Sequence, residues 1–449
     1  MRDLDQIPGA PGLPLLGHTL RWLREPIATP VSMYEAFGDV FRYPIFFDHP
    51  IVFAHPDALG EIFGDEGSDL STAAGWYPFF GPMLPGGLLL RDHQDHHHHR
   101  GLMQAAFTSA ALRSYVEVMT PRIAAIVDAW RARERLLAYP SFKALTLDLA
   151  SLVFLGVDPG DQLTRLARAF EDVTRGVTAL VPVPLPGTAL RRAQQGRALL
   201  GQYLRRLIAE RRLTAETPNL LSQLCHASDE LGNRFTDEEI INHMIFVWLA
   251  AHDTTTGSLV MLAYELARHP EWQERLRSEA SALGRELRFE KLGEARESEC
   301  VISEVLRLYP PVASLPRRTL RPCVIGGVRL PADTPLRASV LLAQRHPAFW
   351  TRPHAFEPQR FAPERAEHRR HKHSFRPFGG GAHMCLGMRF AMLQIKSVLH
   401  QVLLRYKLVL PPGYQQKLRP TPSFRPADDL PLQIVPLAPS GVAATRSRA

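Results

Sequence analysis

Phe378-Gly-Gly-Gly-Ala-His-Met-Cys-Leu-Gly387 is the stretch on which the reading of this chain turns. Three consecutive glycines let a backbone approach something flat and large. One cysteine, Cys385, follows among short residues, and helical periodicity begins directly behind Gly387. Unpaired amides and the dipole at a helix start favour negative charge, which biases Cys385 toward thiolate, the form that ligates metal. Zinc needs several ligands at characteristic spacing, and no second cysteine lies near in sequence. A single axial thiolate on haem iron needs only one.

The remainder of the chain sets the scale. It has 449 residues, 45% hydrophobic and 22% charged, with 53 basic and 45 acidic side chains giving +8 at pH 7. That is ordinary globular composition with a sizeable core available. Four cysteines, Cys225, Cys300, Cys323 and Cys385, do not indicate a disulfide framework at this length, so a reducing, cytoplasmic setting is expected. Residues 1–17 carry Arg2, Asp3 and Asp5 and no apolar run of signal-peptide or anchor length, which points to a soluble protein without a transmembrane anchor. The positive balance is scattered arginine rather than basic blocks interleaved with aromatics, which argues against nucleic acid as a partner.

Moving outward, residues 7–17, Ile-Pro-Gly-Ala-Pro-Gly-Leu-Pro-Leu-Leu-Gly, read as an irregular strap, followed by β-like segments at 39–46 and 50–54. Helical periodicity is clear over 111–131, 162–175 and 190–212. Between the last two, the apolar, proline-broken segment 178–188 is a loop, suited to rimming a greasy entrance, touching a membrane or packing on its own protein. Short strands are expected over 324–330 and 335–341, then a long loop region to 387, a last helix over 387–406 and a β-type tail. Repeats and low-complexity linkers are lacking. One domain over 1–449 is therefore expected: a strap and β-rich part to about 91, a helical part over about 92–310, and β segments, cysteine loop and final helix beyond. The fold class is mainly α with a smaller β-rich part (α+β).

Two further segments are rich in polar groups. The helix over 238–268 is apolar around a notch, Ala250-Ala-His-Asp-Thr-Thr-Thr-Gly257, whose His252, Asp253 and threonines argue against a membrane span. A Thr254 hydroxyl can bond the Ala250 carbonyl and bend or open the helix into a groove for a small ligand; a buried, satisfied polar patch is the plainer reading. Asp92-His-Gln-Asp-His-His-His-His-Arg100 places His96 and His99, or His93 and His97, on one helix face, a weak divalent-metal signal. Apart from His96, these histidines are expected to form a solvated face.

With these residues in view, Phe378-x-x-Gly381-x-His383-x-Cys385-x-Gly387 resembles the haem-binding loop of the cytochrome P-450 superfamily, with His383 where many members carry Arg. The resemblance runs from the strap at Pro8 to Phe424. It implies the fold of that family, with haem b (iron protoporphyrin IX) between the long central helix and the cysteine-loop helix. It implies further that Cys385 ligates the iron within the loop of Phe378, Gly379 and Gly387, and that His96, Arg100, Arg317 and His383 hold the propionates, with Arg318 as the alternative register to Arg317. Glu304-Val-Leu-Arg307 resembles the family's Glu-x-x-Arg pair; residues three apart share a helix face, so the two charges can meet and fork to a third group, Arg360. Residues 250–255 are similar to the oxygen-activation segment, with Ala251 where Gly is usual, and place Asp253 and Thr254 at the acid and alcohol positions of a proton relay. By family position, Trp76, Tyr77, Phe79, Phe80, Trp248, Leu249, Ala313 to Leu315 and Phe424 line the substrate side.

The implied activity is that of a haem-thiolate monooxygenase, in which an apolar small molecule, dioxygen and two electrons give an oxygenated product and water. The alternatives are a non-oxygenating haem sensor or carrier, against which Asp253 and Thr254 count, and a haem-thiolate isomerase or dehydratase. Electrons are expected from an external ferredoxin or flavodoxin with its reductase, docking at basic residues that include Arg389 and Lys396. A monomer is expected. Segment 180–188 with Arg191 and Arg192 resembles members acting on terpenoid, retinoid or steroid skeletons; fatty acids and polyketides stay open.

Overall fold

The computed structural model describes residues 2–64, 69–132, 135–158, 160–177, 179, 183–228, 232–420 and 423–437. Its axis is a 32-residue helix, Asp237–Arg268, which starts where the sequence supplies a reciprocal cap. The Thr236 hydroxyl accepts from the Glu239 N–H at 3.3 Å, and the Glu239 carboxylate accepts from the Thr236 N–H at 2.9 Å. Three acidic residues in the first turn oppose the helix dipole. Around this helix pack Ala138–Ala150, Arg296–Leu308 and the final helix Met388–Leu403, and the main apolar core gathers between them, reaching into the β tail at Leu432 and Ile434. Among the described residues two helices are long and apolar enough to cross a membrane, Ala138–Leu155 and Asp237–Arg268, and 78% of the apolar window of each is buried inside the fold.

Five strands form one sheet beside this helical mass: β1 (Val40–Arg42), β2 (Ile51–Phe53), β3 (Leu70–Ser71), β4 (Leu315–Thr319) and β5 (Pro335–Ala338), in the order β1-β2-β5-β4-β3. β2 and β5 run parallel with Val52 opposite Arg337; β4 and β5 run antiparallel with Pro316 opposite Arg337 and Arg317 opposite Leu336. Partners in register share a face. One face therefore carries Ile51, Phe53, Leu336, Ala338, Leu315 and Arg317, and the other carries Phe41, Val52 and Arg337.

The predicted helices appear as Ser109–Asp128, Leu163–Val177 and Ala189–Arg212, and the expected final helix as Met388–Leu403. The N-terminal part departs from a strap with strands, since it also holds Thr19–Arg24, Ala28–Phe37, Pro56–Gly64 and Thr72–Phe80. The last of these contains Pro78, a residue that argues against a helix when it is read locally. Of the segment 178–188, residues 178 and 180–182 lie outside the described residues, while Val183 and Leu185 are exposed.

Candidate active site

A cavity of about 500 Å³ lies between the cysteine loop, the central helix and the sheet. Trp76, Phe79, Phe80, Leu249, Ala313, Leu315 and Phe424 line it, as expected from sequence, and so do Asp253, Thr254 and Cys385. Two expected residues do not. Trp248 is fully buried on another side of the helix, edge-on to Phe170 at 4.4 Å between ring centres, and Tyr77 is 63% exposed at the surface. An apolar run around a whole helix circumference does not say which side faces a cavity.

The cysteine loop is held by the Cys385 N–H donating to the Phe378 carbonyl at 3.0 Å. Gly379 and Gly381 take φ of +72° and +65°, which glycine alone adopts freely. A Cβ on Gly380 would lie 2.8 Å from the Phe63 ring, and one on Gly381 would lie 1.9 Å from the Phe63 carbonyl oxygen. The glycine run thus admits the end of helix Pro56–Gly64 at these two positions, where the sequence suggested approach to a flat ligand. Cys385 is accessible, and because it lines the cavity its open side faces inward. Burial pushes its thiol up; the Gly387 N–H and Arg100 pull the other way without offsetting it. The bias toward thiolate expected from the helix start is present in the Gly387 N–H and Arg100, and burial opposes it.

Four basic side chains converge on the same cavity: His96, Arg100, Arg317 and His383. His96 stacks on His383 with ring centres 3.8 Å apart. Burial, then neighbouring cationic groups, lowers His96 to about 3, and burial lowers His383 against the opposing pull of Asp92, so both imidazoles are neutral donors at pH 7. Burial brings Arg317 down to about 10, still charged. Its guanidinium donates to the carbonyl of its own neighbour Pro316 at 2.8 Å, and among the described residues Arg100 has no hydrogen-bond partner. Trp76 Nε1 is buried without a partner as well. Two guanidinium charges and several free donors around one inward thiol are a set that fits a flat ligand carrying two carboxylates and a thiophilic metal. Arg318, the alternative to Arg317, faces away and pairs with Asp333 at 2.8 Å. Sequence reasoning missed Asp92, whose Oδ1 lies 3.6 Å from His383 Nε2 while its carboxylate accepts from the Thr72 and Ala73 N–H groups.

On the opposite wall the Thr254 hydroxyl donates to the Ala250 carbonyl at 2.7 Å, as expected, yet the helix continues unbroken through it. Asp253 is 5% exposed. Its Oδ2 accepts from the Thr174 hydroxyl at 3.0 Å, and its Oδ1 lies 3.2 Å from His252 Nε2 and 3.7 Å from Lys143 Nζ. Burial raises its carboxyl, but His252, Lys143 and Thr174 outweigh that and hold it at about 2. Lys143 and Thr174 come from helices far away in sequence, so no local pattern announces them.

Behind the loop, Glu304, Arg307 and Arg360 are all 0% exposed. Arg307 forks onto Glu304 at 2.7 and 2.9 Å, and Arg360 Nε reaches the same carboxylate at 3.0 Å. The cluster expected from sequence is present and is completed by Glu367, which accepts from Arg360 at 2.8 Å. Two other expectations change. His99 is buried, its Nδ1 2.8 Å from His243 Nε2, while His93, His97 and His98 are solvated; no group of three potential metal ligands occurs among the described residues. Lys396 is buried and bound to Glu299 at 2.9 Å and to the Leu292 carbonyl, which removes it from any docking face, whereas Arg389 is exposed.

The class that this fold and this site fit is the haem-thiolate proteins. The family model for cytochrome P450 matches residues 7–430, and the chain belongs to that family of haem-containing monooxygenases. It is 38% identical to a putative cytochrome P450 136 of Mycobacterium tuberculosis over 96% of this chain and 89% of the relative. It is 28% identical to pentalenene oxygenase of Streptomyces avermitilis, covering 90% of this chain and 91% of that one. Among solved structures, retinoic acid-bound cyanobacterial CYP120A1 superposes with a TM-score of 0.87 at 27% identity, over 96% of this chain and all of the other.

Proposed function

We propose that this chain is a soluble, cytoplasmic, monomeric single-domain monooxygenase of apolar small molecules, with Cys385 as axial ligand and His96, Arg100, Arg317 and His383 on the propionates of haem b. The observation that carries the reading is the set of four basic side chains, two of them guanidinium groups, around the one cysteine that lines the cavity. Haem, when bound, supplies the binding and reductive activation of dioxygen. Everything else falls to the chain. Phe378, Gly379 and Gly387 shape the loop that presents Cys385. The Glu304, Arg307 and Arg360 cluster anchors the segment behind that loop. Trp76, Phe79, Phe80, Leu249, Ala313, Leu315 and Phe424 exclude water and orient the substrate.

Asp253 and Thr254 move protons. With its carboxyl at about 2, Asp253 is ionised at neutral pH, so its part in the relay is to accept hydrogen bonds and orient proton donors rather than to store a proton. Lys143, whose own value is raised, is the adjacent charged donor, and Thr254 lines the cavity with its hydroxyl donating to the Ala250 carbonyl. Two electrons come from an external ferredoxin or flavodoxin with its reductase, drawn to a basic face that includes Arg389. The substrate is a hydroxylatable or epoxidisable hydrocarbon skeleton. A relative named for pentalenene and a neighbour that bound retinoic acid support this class.

The test is twofold. Reduced, haem-loaded protein exposed to carbon monoxide is expected to show the strongly red-shifted Soret band of a thiolate complex, and folded C385A is expected to lack it. Substrate turnover is expected to consume oxygen in step with product; turnover without oxygen uptake sinks the monooxygenase reading.

A further inference from the structure

Arg337 stands on the sheet face opposite Arg317, in a cross-strand row with Phe41 and Val52, and lines the cavity. Its guanidinium sits over the Phe79 ring, 5.5 Å from the centre. Among the described residues it has no hydrogen bond or ion pair, and its Nε is sealed and unpartnered. Asp48 reaches it only through its field and stands 3.9 Å from Arg318 instead. Tyr43 lies two residues along from Phe41, lines the same wall, and buries a hydroxyl with no partner. The two groups feel each other's charge.

Among the shielded arginines away from the cavity, Arg307, Arg360, Arg345 and Arg42 have partners for their guanidinium groups, even where, as at Arg345, the Nε is left over. Arg307 and Arg360 hold carboxylates and carbonyls; Arg345 bonds the Arg307, Leu308 and Leu341 carbonyls; Arg42, beside Tyr43, bonds those of Leu4 and Ile7. Arg337 is half-buried with its Nε sealed, and a cation held so without a partner is costly while an apolar wall gains nothing from it. Arg337 and Tyr43 together offer one positive charge, a planar fork and one hydroxyl donor. That matches a single carboxylate; a phosphate would leave charge unmet.

We propose that Arg337 and Tyr43 form a carboxylate-recognition subsite in the substrate cavity, so that this enzyme takes apolar molecules bearing one carboxylic acid. The proposal deepens the monooxygenase reading and rests on it for calling the ligand a substrate.

The experiment uses the haem-loaded full chain and two matched pairs, retinoic acid with methyl retinoate and hexadecanoic acid with methyl hexadecanoate. Calorimetry reads binding without relying on oxygen chemistry. At least one acid is expected to bind ten-fold or more tightly than its ester. In R337M the two are expected to fall within two-fold, with the ester's affinity unmoved; R337K, which keeps charge and loses the fork, and Y43F are expected in between. Ester and acid binding alike to the wild type, no acid binding at all, or a preference that survives R337M overturns the subsite. Thermal melting of ligand-free protein adds a check. R337M is expected to melt at or above the wild-type temperature, and a clear drop would make Arg337 a structural residue. Acid preference without oxygen consumption defeats the monooxygenase reading and leaves the subsite standing; oxygenation without acid preference does the reverse.

Discussion

Replacing Glu304 by alanine removes one carboxylate that accepts two bonds from Arg307, one from Arg360 and one from the Glu357 N–H. What is left is two guanidinium groups at 0% exposure, with the remaining carboxylates, Glu367 at 2.8 Å and Glu357 at 3.5 Å, both on Arg360. Arg307 keeps three backbone carbonyls, from Gln344, Pro353 and Ala355, but no counter-charge. Breaking a buried pair from one side costs about 3–5 kcal/mol, because the surviving charge stays buried. At about 1.4 kcal/mol per factor of ten, the unfolding equilibrium shifts by roughly two to more than three orders of magnitude. The comparison is the surface pair Arg175–Glu171, with side chains 60% and 45% exposed, where R175A is expected to cost no more than about 0.5 kcal/mol. Urea unfolding of haem-loaded protein, followed together by tryptophan fluorescence and Soret absorbance, measures both. The double variant E304A/R307M is expected to fall short of the sum of its parts by about 1–3 kcal/mol, since it removes both charges. If E304A unfolds within about 1 kcal/mol of R175A, the buried-charge reasoning is wrong.

Thr254→Ala removes the hydroxyl at the cavity wall while leaving Asp253 in place; electrons are expected to escape as peroxide, so that product per electron pair falls several-fold, and unchanged coupling would take Thr254 out of the relay. His99 and His243 are buried and neutral, lowered to about 4 and about 3 by desolvation first and by neighbouring positive or titrating groups second. Their unfolded forms bind protons near 6.5, so the stability they contribute is whole above about pH 6.5 and lost as pH falls through about 4. The H99F/H243F variant is expected to flatten that limb in acid-unfolding curves; an unaltered slope would show that other groups set it. Gly257→Ala places a Cβ 2.1 Å from Ser423 Oγ, and a cost of about 1–3 kcal/mol is expected, relieved in part by Ser423→Ala; a neutral G257A would mean that the 423–424 segment does not press on the helix.

Motifs with tight local spacing were readable in advance. The cysteine loop, the Glu304 and Arg307 helix turn and the Asp253 and Thr254 notch each lie within one helix turn or one loop, so sequence distance stands in for spatial distance. Residues that act through long-range contact carried no such signal. Lys143, Thr174 and Asp92 reach their partners from elements tens to hundreds of residues away, and Arg337 looks in sequence like any strand arginine. Facing was the other blind spot. Trp248 and Lys396 sit on helices whose placement was anticipated, yet rotation about the helix axis decided that one fills the core and the other a buried ion pair. Desolvation was the third. The dipole argument at Cys385 is sound locally and is overridden by burial that only the assembled fold creates.

The pairing of β4 with β5 also constrains how this enzyme can change. In a pleated sheet the face of a side chain is a matter of odd or even position. Arg317 and Arg337 occupy opposite parities across neighbouring strands, so they stand on opposite faces of the sheet. A slip of one residue would turn Arg317 to the other face and bring Arg318 in its place, and Arg337 would exchange faces if its own strand were the one that moved. The span between Thr319 and Pro335 can therefore vary in length only while the parity of the pairing is kept, and a lineage that altered its substrate preference by moving this strand would have to move in steps of two.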